Sequence, residues 1–273
     1  MNCPGHTARK NFGQHWLKDL SILKKIIEAA EISSKDIVLE IGPGRGALTK
    51  YLLTSLAAFI YAVELDRDLA FMLREQLGLS TRLALIEGDI LKVNFFSTGC
   101  YSPRKVVANI PYNITGPLLE KLLGTLEKPA SKPYEKIVLL VQREVGDRIC
   151  ANPGDRNYGA FSVRMQLLAK CYRICTVPPT CFQPSPSVMS SVIVLNPLPI
   201  SDHLTPELAS QVDKLLRLCF VSRRKMLRST LTKLIPMSCL EKLIIKTGIT
   251  LKQRPQELSP STWVKLAMSL NQV

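Results

Sequence analysis

The 273-residue sequence predicts an α/β fold with a largely parallel sheet, followed by a small helical domain. Between Ile37 and Val194, strand-length apolar runs alternate with helical patterns, which is typical of parallel strands covered by helices on both faces. The stretch "NPLPISDHLTPE" breaks this alternation with prolines and polar residues. Beyond it, apolar residues recur at the three-to-four spacing of amphipathic helices.

The predicted elements follow one another in a regular order along the chain. The strands are "IVLEI", "FIYAVEL", "LALIEG", "KVVANI", "KIVLLV", "CYRICTV" and "SVIVL". The helices after the linker are "LASQVDKLLRLCF", "RRKMLRSTLTKLI", "SCLEKLIIKTG" and "PSTWVKLAMSL". We therefore place the domain boundary in the linker, with one domain over residues 1–198 and a helical domain over 199–273.

The composition is that of a globular protein with a strong excess of basic residues. A hydrophobic content of 46% with 21% charged residues excludes a disordered chain as the default interpretation. The 36 Lys and Arg residues against 22 Asp and Glu residues give a net charge of +14. This balance favours a polyanionic partner such as nucleic acid, and the alternative is a basic protein without such a partner.

The cysteine spacing and the length of the apolar runs bear on whether the protein binds a metal and whether it enters a membrane. The 8 cysteines include no CxxC pair, and the spacing of Cys171, Cys175 and Cys181 with His203 fits no zinc pattern, so we expect no metal. No apolar stretch approaches a membrane span, and the N-terminus lacks the apolar core of a signal peptide. We therefore expect a cytoplasmic protein without a membrane partner.

A glycine-rich turn follows the first predicted strand in "VLEIGPGRGALTKYL". Gly42, Gly44 and Gly46 allow a sharp turn and the close approach of a ligand to the backbone. The dinucleotide fingerprint places its third glycine one residue later, so a purely structural turn remains the alternative.

Acidic residues follow the next two predicted strands. Glu64 ends the second strand, where a carboxylate can accept both hydrogens of a ribose diol, and Asp66 is a competing candidate two residues further on. Asp89 follows the third strand, where it can accept a hydrogen bond from the amino group of an adenine. Each acid could instead cap a helix or lie in solvent. Together with the glycines, these acids suit an adenosine moiety.

The segment "ANIPYN" follows the fourth predicted strand at the same edge of the sheet. The exocyclic amine of adenine is a poor nucleophile because its lone pair is delocalised into the ring. The side-chain oxygen of Asn109 and the backbone carbonyl of Ile110 could each accept one amino hydrogen and localise that lone pair. Pro111 would stiffen the backbone, and Tyr112 would stack on a flipped-out base. A strand-ending turn is the alternative interpretation.

At this point the sequence resembles the small-subunit ribosomal RNA adenine dimethyltransferases, which use S-adenosylmethionine. The motifs that carry the resemblance extend over nearly the whole chain: "RKNFGQHWL", "VLEIGPGRGALT", "VELDRDLA", "VVANIPYNI", "LLVQREV", "YGAFSV", "VPPTCFQPSPSV", "SRRKMLRSTL" and "RPQELSPSTWVKLA". The resemblance implies a Rossmann-like methyltransferase domain over residues 1–198, with an N-terminal segment that covers the cofactor, and an RNA-binding helical domain over 199–273.

The resemblance also implies roles for individual residues. His15 and Leu17 would line the cofactor pocket beside Gln14, and Gly42 with its neighbouring glycines would lie against the methionine part. Glu64 would hold the ribose, Asp89 with Ile90 would contact the adenine, and Asn109 would stand between cofactor and target base. Phe182 would be a second aromatic ring that holds the target adenine against Tyr112, with a place in the core as the alternative.

The sequence departs from the family pattern in two places. The family commonly has Asn and Phe where this chain has His15 and Trp16, which puts in doubt any contact made by an amide at that position. A Lys-Val-Asp-Ser run is usual after the "FQPSP" loop, whereas this chain has "SVMS". No lysine or aspartate contact is therefore expected from that loop.

By resemblance, the expected reaction is dimethylation of two adjacent adenines in a hairpin loop near the 3′ end of small-subunit ribosomal RNA. The expected partner is a pre-ribosomal small subunit, and we expect the protein to be a monomer that acts in ribosome biogenesis. Basic residues at helical spacing in "SRRKMLRS" are predicted to contact RNA phosphates, with a solvated helix face as the alternative. These residues are Arg223, Arg224, Lys225 and Arg228.

Three other function classes compete with this interpretation. An adenine methyltransferase acting on large-subunit RNA or on DNA is disfavoured by the near full-length resemblance. A ribosome assembly or transcription factor with little catalysis is disfavoured by the intact glycine turn, Glu64, Asp89 and "NIPY". A nicotinamide oxidoreductase is disfavoured by the glycine spacing and by "NIPY".

Overall fold

The structure is a computed structural model, and it describes residues 14–78, 80–95, 102–232 and 236–270. It has the predicted α/β fold. The strands are β1 Trp16–Leu17, β2 Ile37–Ile41, β3 Phe59–Glu64, β4 Leu83–Glu87, β5 Lys105–Asn109, β6 Lys136–Gln142, β7 Ala169–Val177, β8 Phe182–Gln183 and β9 Ser190–Pro197. The helices are α1 Leu20–Ala30, α2 Ala47–Thr54, α3 Arg67–Leu77, α4 Thr115–Leu123, α5 Arg143–Ile149, α6 Ala160–Leu168, α7 Pro206–Phe220, α8 Arg228–Leu231, α9 Met237–Thr247 and α10 Pro260–Leu270.

The main sheet has seven strands in the order β4-β3-β2-β5-β6-β9-β7. The pairs from β4 to β6 are parallel, and β9 is antiparallel to β6. Because the parallel strands run the same way, the carboxyl ends of β2, β3, β4 and β5 meet at one edge. Strand β5 is buried from Lys105 to Ala108, and its last residue, Asn109, emerges half-buried at that edge.

A second, two-stranded sheet joins distant parts of the chain. Strands β1 and β8 pair in antiparallel orientation, with Trp16 opposite Gln183 and Leu17 opposite Phe182. This pairing links the segment predicted to cover the cofactor with the "FQPSP" loop.

Helix α1 illustrates how local sequence sets the helix ends. Its N-cap is Asp19, whose carboxylate accepts hydrogen bonds from the backbone NH groups of Ser21 and Ile22. The helix buries Ile22, Leu23, Ile26 and Ala30 on one face. It ends at Ala30, and the following residue, Glu31, adopts a left-handed conformation with φ of 47°.

The chain divides into two compact units. One comprises the described residues of Met1–Leu122, Lys132–Gly146 and Tyr172–Pro197, and the other those of Leu123–Ser131, Asp147–Cys171 and Leu198–Val273. The second unit therefore takes in more of the chain than residues 199–273. Within it, Arg164 of α6 pairs with Asp213 of α7, and the Tyr158 hydroxyl donates to the carbonyl of Leu258. The assignment of RNA binding to residues 199–273 stays a prediction.

In the described part of the chain, no helix has both the length and the apolar character needed to cross a membrane.

Candidate active site

A cavity of about 200 Å³ opens at the carboxyl ends of β2, β3, β4 and β5. The structure brings ten of the predicted site residues to its wall. They are His15, Gly42, Gly44, Glu64, Asp89, Ile90, Asn109, Ile110, Pro111 and Tyr112.

Three predicted site residues do not line this cavity. Leu17 is 4% exposed and belongs to the hydrophobic core. Gly46 has φ of +75°, and a Cβ there would lie 2.6 Å from Cδ2 of Leu73, so this glycine serves the close packing of α2 on α3. Phe182 is 2% exposed and packs in the same core cluster as Leu17. The roles that the resemblance implies for these three residues stay predictions.

The glycine turn is closed by an aromatic side chain. A Cβ on Gly44, whose φ is +58°, would lie 2.8 Å from Cδ1 of Trp16, so only glycine lets the indole pack there. The guanidinium of Arg45 lies 3.9 Å from the centroid of the same indole, a cation–π contact. Trp16, a position at which this chain departs from the family pattern, therefore packs over the glycine turn.

Glu64 ends β3 and is held by backbone donors. One carboxylate oxygen accepts from the Gly44 NH at 2.9 Å and the other from the Asp66 NH at 2.9 Å. Burial raises the pKa of Glu64 above its ordinary value, and these backbone hydrogen bonds partly oppose that increase. Each oxygen of this carboxylate accepts one backbone NH and retains a further lone pair. The carboxylate can therefore still accept hydrogen bonds from the two hydroxyl groups of a diol.

The other two acidic residues occupy different surroundings. Asp66 caps α3 by accepting from the Asp68 NH, and it also accepts from the Gln14 side chain at 2.9 Å. Asp66 thus holds the side chain of Gln14, shortly before β1, a role that the sequence did not predict. Asp89 lies past the end of β4, is half-buried, and accepts from the Leu91 NH at 2.9 Å.

Asn109 is oriented by the backbone of residue 15, directly before β1. Its side-chain Nδ2 donates to the backbone carbonyl of His15 at 3.0 Å. Because a carbonyl can accept a hydrogen bond only from the NH₂ group of an amide, this contact assigns Nδ2 to the side of the Asn109 amide that faces His15. The oxygen Oδ1 is left as the part of the amide that can accept from a ligand. Ile110 is tied to the sheet because its NH donates to the Leu140 carbonyl.

Tyr112 is anchored at its hydroxyl. The Tyr112 oxygen lies 2.7 Å from Oγ of Ser190, a buried residue that begins β9. Burial raises the pKa of Tyr112, and the Ser190 contact opposes the increase, so the phenol stays protonated at neutral pH. Ser190 is a site residue that sequence reasoning missed, although it belongs to the "SVMS" run that follows the "FQPSP" loop.

Glu40 is a buried acid close to the site. It is 1% exposed, and neither of its carboxylate oxygens makes a hydrogen bond of ordinary geometry. It borders a small cavity of about 30 Å³ that Gly42, Arg45 and Asn109 also line. Burial raises the pKa of Glu40 to about 8; the side-chain and backbone donors of Thr49 oppose this increase, and the nearby Glu64 charge adds to it. A signal for this residue is visible in the chain, since Glu40 stands inside the apolar run "IVLEI".

The predicted basic residues are exposed, but the prediction of helical spacing was wrong. Helix α7 ends at Phe220, and Arg223, Arg224 and Lys225 lie in the turn that follows, with Arg228 beginning α8. Buried Leu227 fixes this turn, because its NH donates to the Gln253 carbonyl and the next NH to that of Leu251. These backbone contacts take the place of a continued helix.

No group of three or more His, Cys, Asp or Glu side chains suited to a metal occurs among the residues that the structure describes. The absence of a metal from the reaction stays a prediction.

The fold and the cavity at the carboxyl ends of its parallel strands define the class of Rossmann-like methyltransferases. The model of the family described as ribosomal RNA adenine dimethylase matches residues 5–272. The chain is 54% identical, over 100% of its length and 97% of the relative's, to ribosomal RNA small subunit methyltransferase A of Synechococcus sp. strain WH7803.

Two solved structures are similar over 94% of this chain. One is a dimethyladenosine transferase from Plasmodium falciparum, with a TM-score of 0.78, 31% identity and 98% of that chain covered. The other is the 23S rRNA methyltransferase ErmE, with a TM-score of 0.74, 24% identity and 99% of that chain covered, a likeness of fold alone. The chain therefore belongs to the ribosomal RNA adenine dimethylase family, and it is an S-adenosylmethionine-dependent rRNA adenine dimethyltransferase.

The residues at the cavity fit the cofactor. The bound carboxylate of Glu64 suits a ribose diol, and Gly42, with φ of +67°, exposes its backbone to a ligand. S-adenosylmethionine carries a ribose diol beside its adenine, so the carboxylate of Glu64 and the open backbone of the glycine turn match this part of its chemistry.

Proposed function

We propose that this enzyme dimethylates the amino nitrogens of two adjacent adenines in the 3′-end hairpin loop of small-subunit ribosomal RNA. The proposal includes a pre-ribosomal small subunit as substrate, a role in ribosome biogenesis, a monomeric protein, a cytoplasmic location and no metal. The observation that carries it is the Asn109 amide, which is held by the His15 carbonyl beside the anchored ring of Tyr112 at the cavity. The name of the relative from Synechococcus supports the choice of the small subunit.

In this mechanism the residues act by positioning the target adenine against the methyl group of the cofactor. The bound cofactor supplies a methyl group on a sulfonium, which is already a strong electrophile. Asn109 Oδ1 and the Ile110 carbonyl accept the two amino hydrogens of the adenine and localise the lone pair of the nitrogen. Tyr112 stacks on the base. The amine becomes acidic once it is alkylated, so no general base is needed before transfer, and orientation contributes most of the rate.

Dimethylation adds a requirement for space beside one acceptor. The first methyl group replaces one amino hydrogen, so only one acceptor can be satisfied in the second round. Apolar side chains of Ile110 and Ile114 border the cavity near Tyr112 and offer a surface for that methyl group.

The test is mass spectrometry of nucleosides from undermethylated small subunits after incubation with the protein and methyl-labelled cofactor. Labelled dimethyladenosine in the 3′-end hairpin is the expected result. Label confined to large-subunit RNA would contradict the choice of substrate. Cofactor binding without methyl transfer would favour an assembly factor instead.

The exposed basic turn should determine the electrostatic part of RNA binding. Replacing Arg223, Arg224, Lys225 and Arg228 with Ala should weaken binding to small subunits and reduce the slope of log affinity against log salt by about 3, since each phosphate contact contributes about 0.7–0.9. The measurement is a filter-binding titration at several salt concentrations.

A charge-matched control tests whether this effect is local. Alanine replacements at the exposed lysines Lys24, Lys25, Lys35 and Lys50 remove the same charge from the other unit. An equal reduction of the slope in both variants would show that net charge, and not the basic turn, governs binding.

A further inference from the structure

Arg45 contacts the ring of Trp16 from outside the main cavity. Trp16 borders both the cavity of about 200 Å³ and the small cavity of about 30 Å³. Among the residues that the structure describes, Arg45 lines the small cavity and does not belong to the wall of the larger one. Its guanidinium carbon lies 3.9 Å from the centroid of the indole, within the range of about 6 Å for a cation–π contact. Arg45 therefore holds the indole without bordering the space that fits the cofactor.

The glycine turn provides a second contact for the indole. A Cβ on Gly44 would lie 2.8 Å from Cδ1 and 3.0 Å from Nε1 of Trp16, so the ring packs directly on the backbone of this glycine. The NH of Gly44 donates to Glu64, the carboxylate that suits the ribose diol. A movement of the indole would therefore open the wall of the cavity beside the turn that holds this carboxylate.

The residues on either side of Trp16 are held by other groups. The backbone carbonyl of His15 accepts from the Asn109 side chain, and Leu17 is 4% exposed in the hydrophobic core. These contacts hold the backbone on both sides of the indole. A substitution of Arg45 therefore leaves the path of this segment in place and changes mainly what holds the ring.

We propose that Arg45 is a positioning residue that acts through Trp16: it keeps the indole as a fixed wall of the cofactor cavity and thereby slows the release of S-adenosylmethionine. Tryptophan is the aromatic side chain that attracts a cation most strongly to its face, which suits it to this role. The inference concerns the cofactor alone, so its failure would leave the proposed choice of RNA substrate untouched.

The test uses the full chain with Arg45→Met, which removes the charge, and Arg45→Lys, which keeps a cation. Labelled S-adenosylmethionine chased with an excess of unlabelled cofactor gives koff, and rapid filtration after mixing gives kon. Acrylamide quenching of tryptophan fluorescence in the cofactor-free protein reports the exposure of Trp16, because the other tryptophan, Trp263, is fully buried. Arg67→Met is the charge-matched control, since Arg67 is exposed and belongs to the same unit.

We expect Arg45→Met to increase the quenching and to raise koff by about 5-fold, the effect of losing one cation–π contact. Because the wall loosens around the bound cofactor, kon should stay within about 2-fold of wild type and the Kd should rise with koff. Arg45→Lys should recover most of the effect. Arg67→Met should match wild type in quenching, koff and kon.

A double-mutant cycle shows whether the two residues act as one unit. Trp16→Leu removes the ring, and adding Arg45→Met should then raise koff by less than about 2-fold. Fold-changes that multiply in the double variant would mean that Arg45 acts on the cofactor independently of Trp16, which overturns the proposal.

Two further results would also overturn it. An unchanged koff in Arg45→Met would show that the contact does not govern release of the cofactor. Equal increases of koff and kon, with an unchanged Kd, would make the indole an obstacle to entry and exit, and not a wall in contact with the bound cofactor.

Discussion

Replacing Asn109 with Ala is expected to reduce the single-turnover rate of methyl transfer by about 100-fold to 1,000-fold, the effect of losing one preorganised hydrogen-bonding group at a reacting centre. The side chain is held by Nδ2 on the His15 carbonyl, so its oxygen is in place before the base arrives. Without that oxygen, one amino hydrogen loses its acceptor and the lone pair stays delocalised. The affinity for S-adenosylmethionine should change only a few-fold, because Glu64, Asp89 and the glycine turn remain.

The measurement is rapid-quench methylation of small subunits with enzyme in excess, beside calorimetry for cofactor binding. Asn113→Ala is the matched control, because this exposed amide borders the same cavity and lies four residues further along the chain. It should retain a rate within about 3-fold of wild type. A wild-type rate in Asn109→Ala would refute the role of this side chain as an acceptor.

Glu40→Gln is expected to change how stability depends on pH. Burial raises the pKa of Glu40 in the folded protein to about 8, from 4.5 for an ordinary glutamate. The folded state therefore holds a proton that the unfolded state releases. The contribution of Glu40 to the free energy of unfolding is fully present below pH 4.5 and is lost as the pH rises to about 8. The free energy of unfolding should fall by a total on the order of 3–5 kcal/mol over this range. The glutamine side chain does not titrate, so this part of the decline should disappear.

Urea unfolding at several pH values between 4.5 and 8.5, without cofactor, measures the effect. The comparison is one of slopes, because the buried amide of the variant adds a constant cost of about 1–3 kcal/mol at every pH. Glu28→Gln on the exposed surface of α1 is the matched control and should follow the wild-type curve. Parallel curves for Glu40→Gln and wild type would show that Glu40 is ionised in the folded protein.

The strands and the site residues at their ends were predictable because both depend on local sequence. Apolar runs fix where β2, β3 and β5 lie, and parallel connection brings their carboxyl ends together. Glu64 and Asn109 were therefore found at the cavity from their positions in the chain. Glu40 could have been recognised by the same pattern, since a charged residue inside a run that is buried on both faces has unusual chemistry.

The remaining features depend on contacts between distant residues, which spacing cannot reveal. The carbonyl that holds Asn109 belongs to residue 15, and the hydroxyl beside Tyr112 belongs to Ser190. The basic turn was predicted as a helix because Arg, Lys, Met and Leu favour helices locally, whereas its path is set by hydrogen bonds to Leu251 and Gln253. Tertiary contacts overrode the local preference there.

The pairing of β1 with β8 bears on how the two methyl groups are added. Trp16 and Leu17, which precede α1, are hydrogen-bonded neighbours of Phe182 and Gln183, which precede the loop that contacts His15. A spent cofactor must leave before the second transfer, and because β1 is paired with β8, any movement of β1 that accompanies its release is transmitted to this loop. Such coupling favours a distributive reaction, and singly methylated adenosine should accumulate early in a time course followed by mass spectrometry; its absence throughout would indicate that the RNA stays bound between transfers.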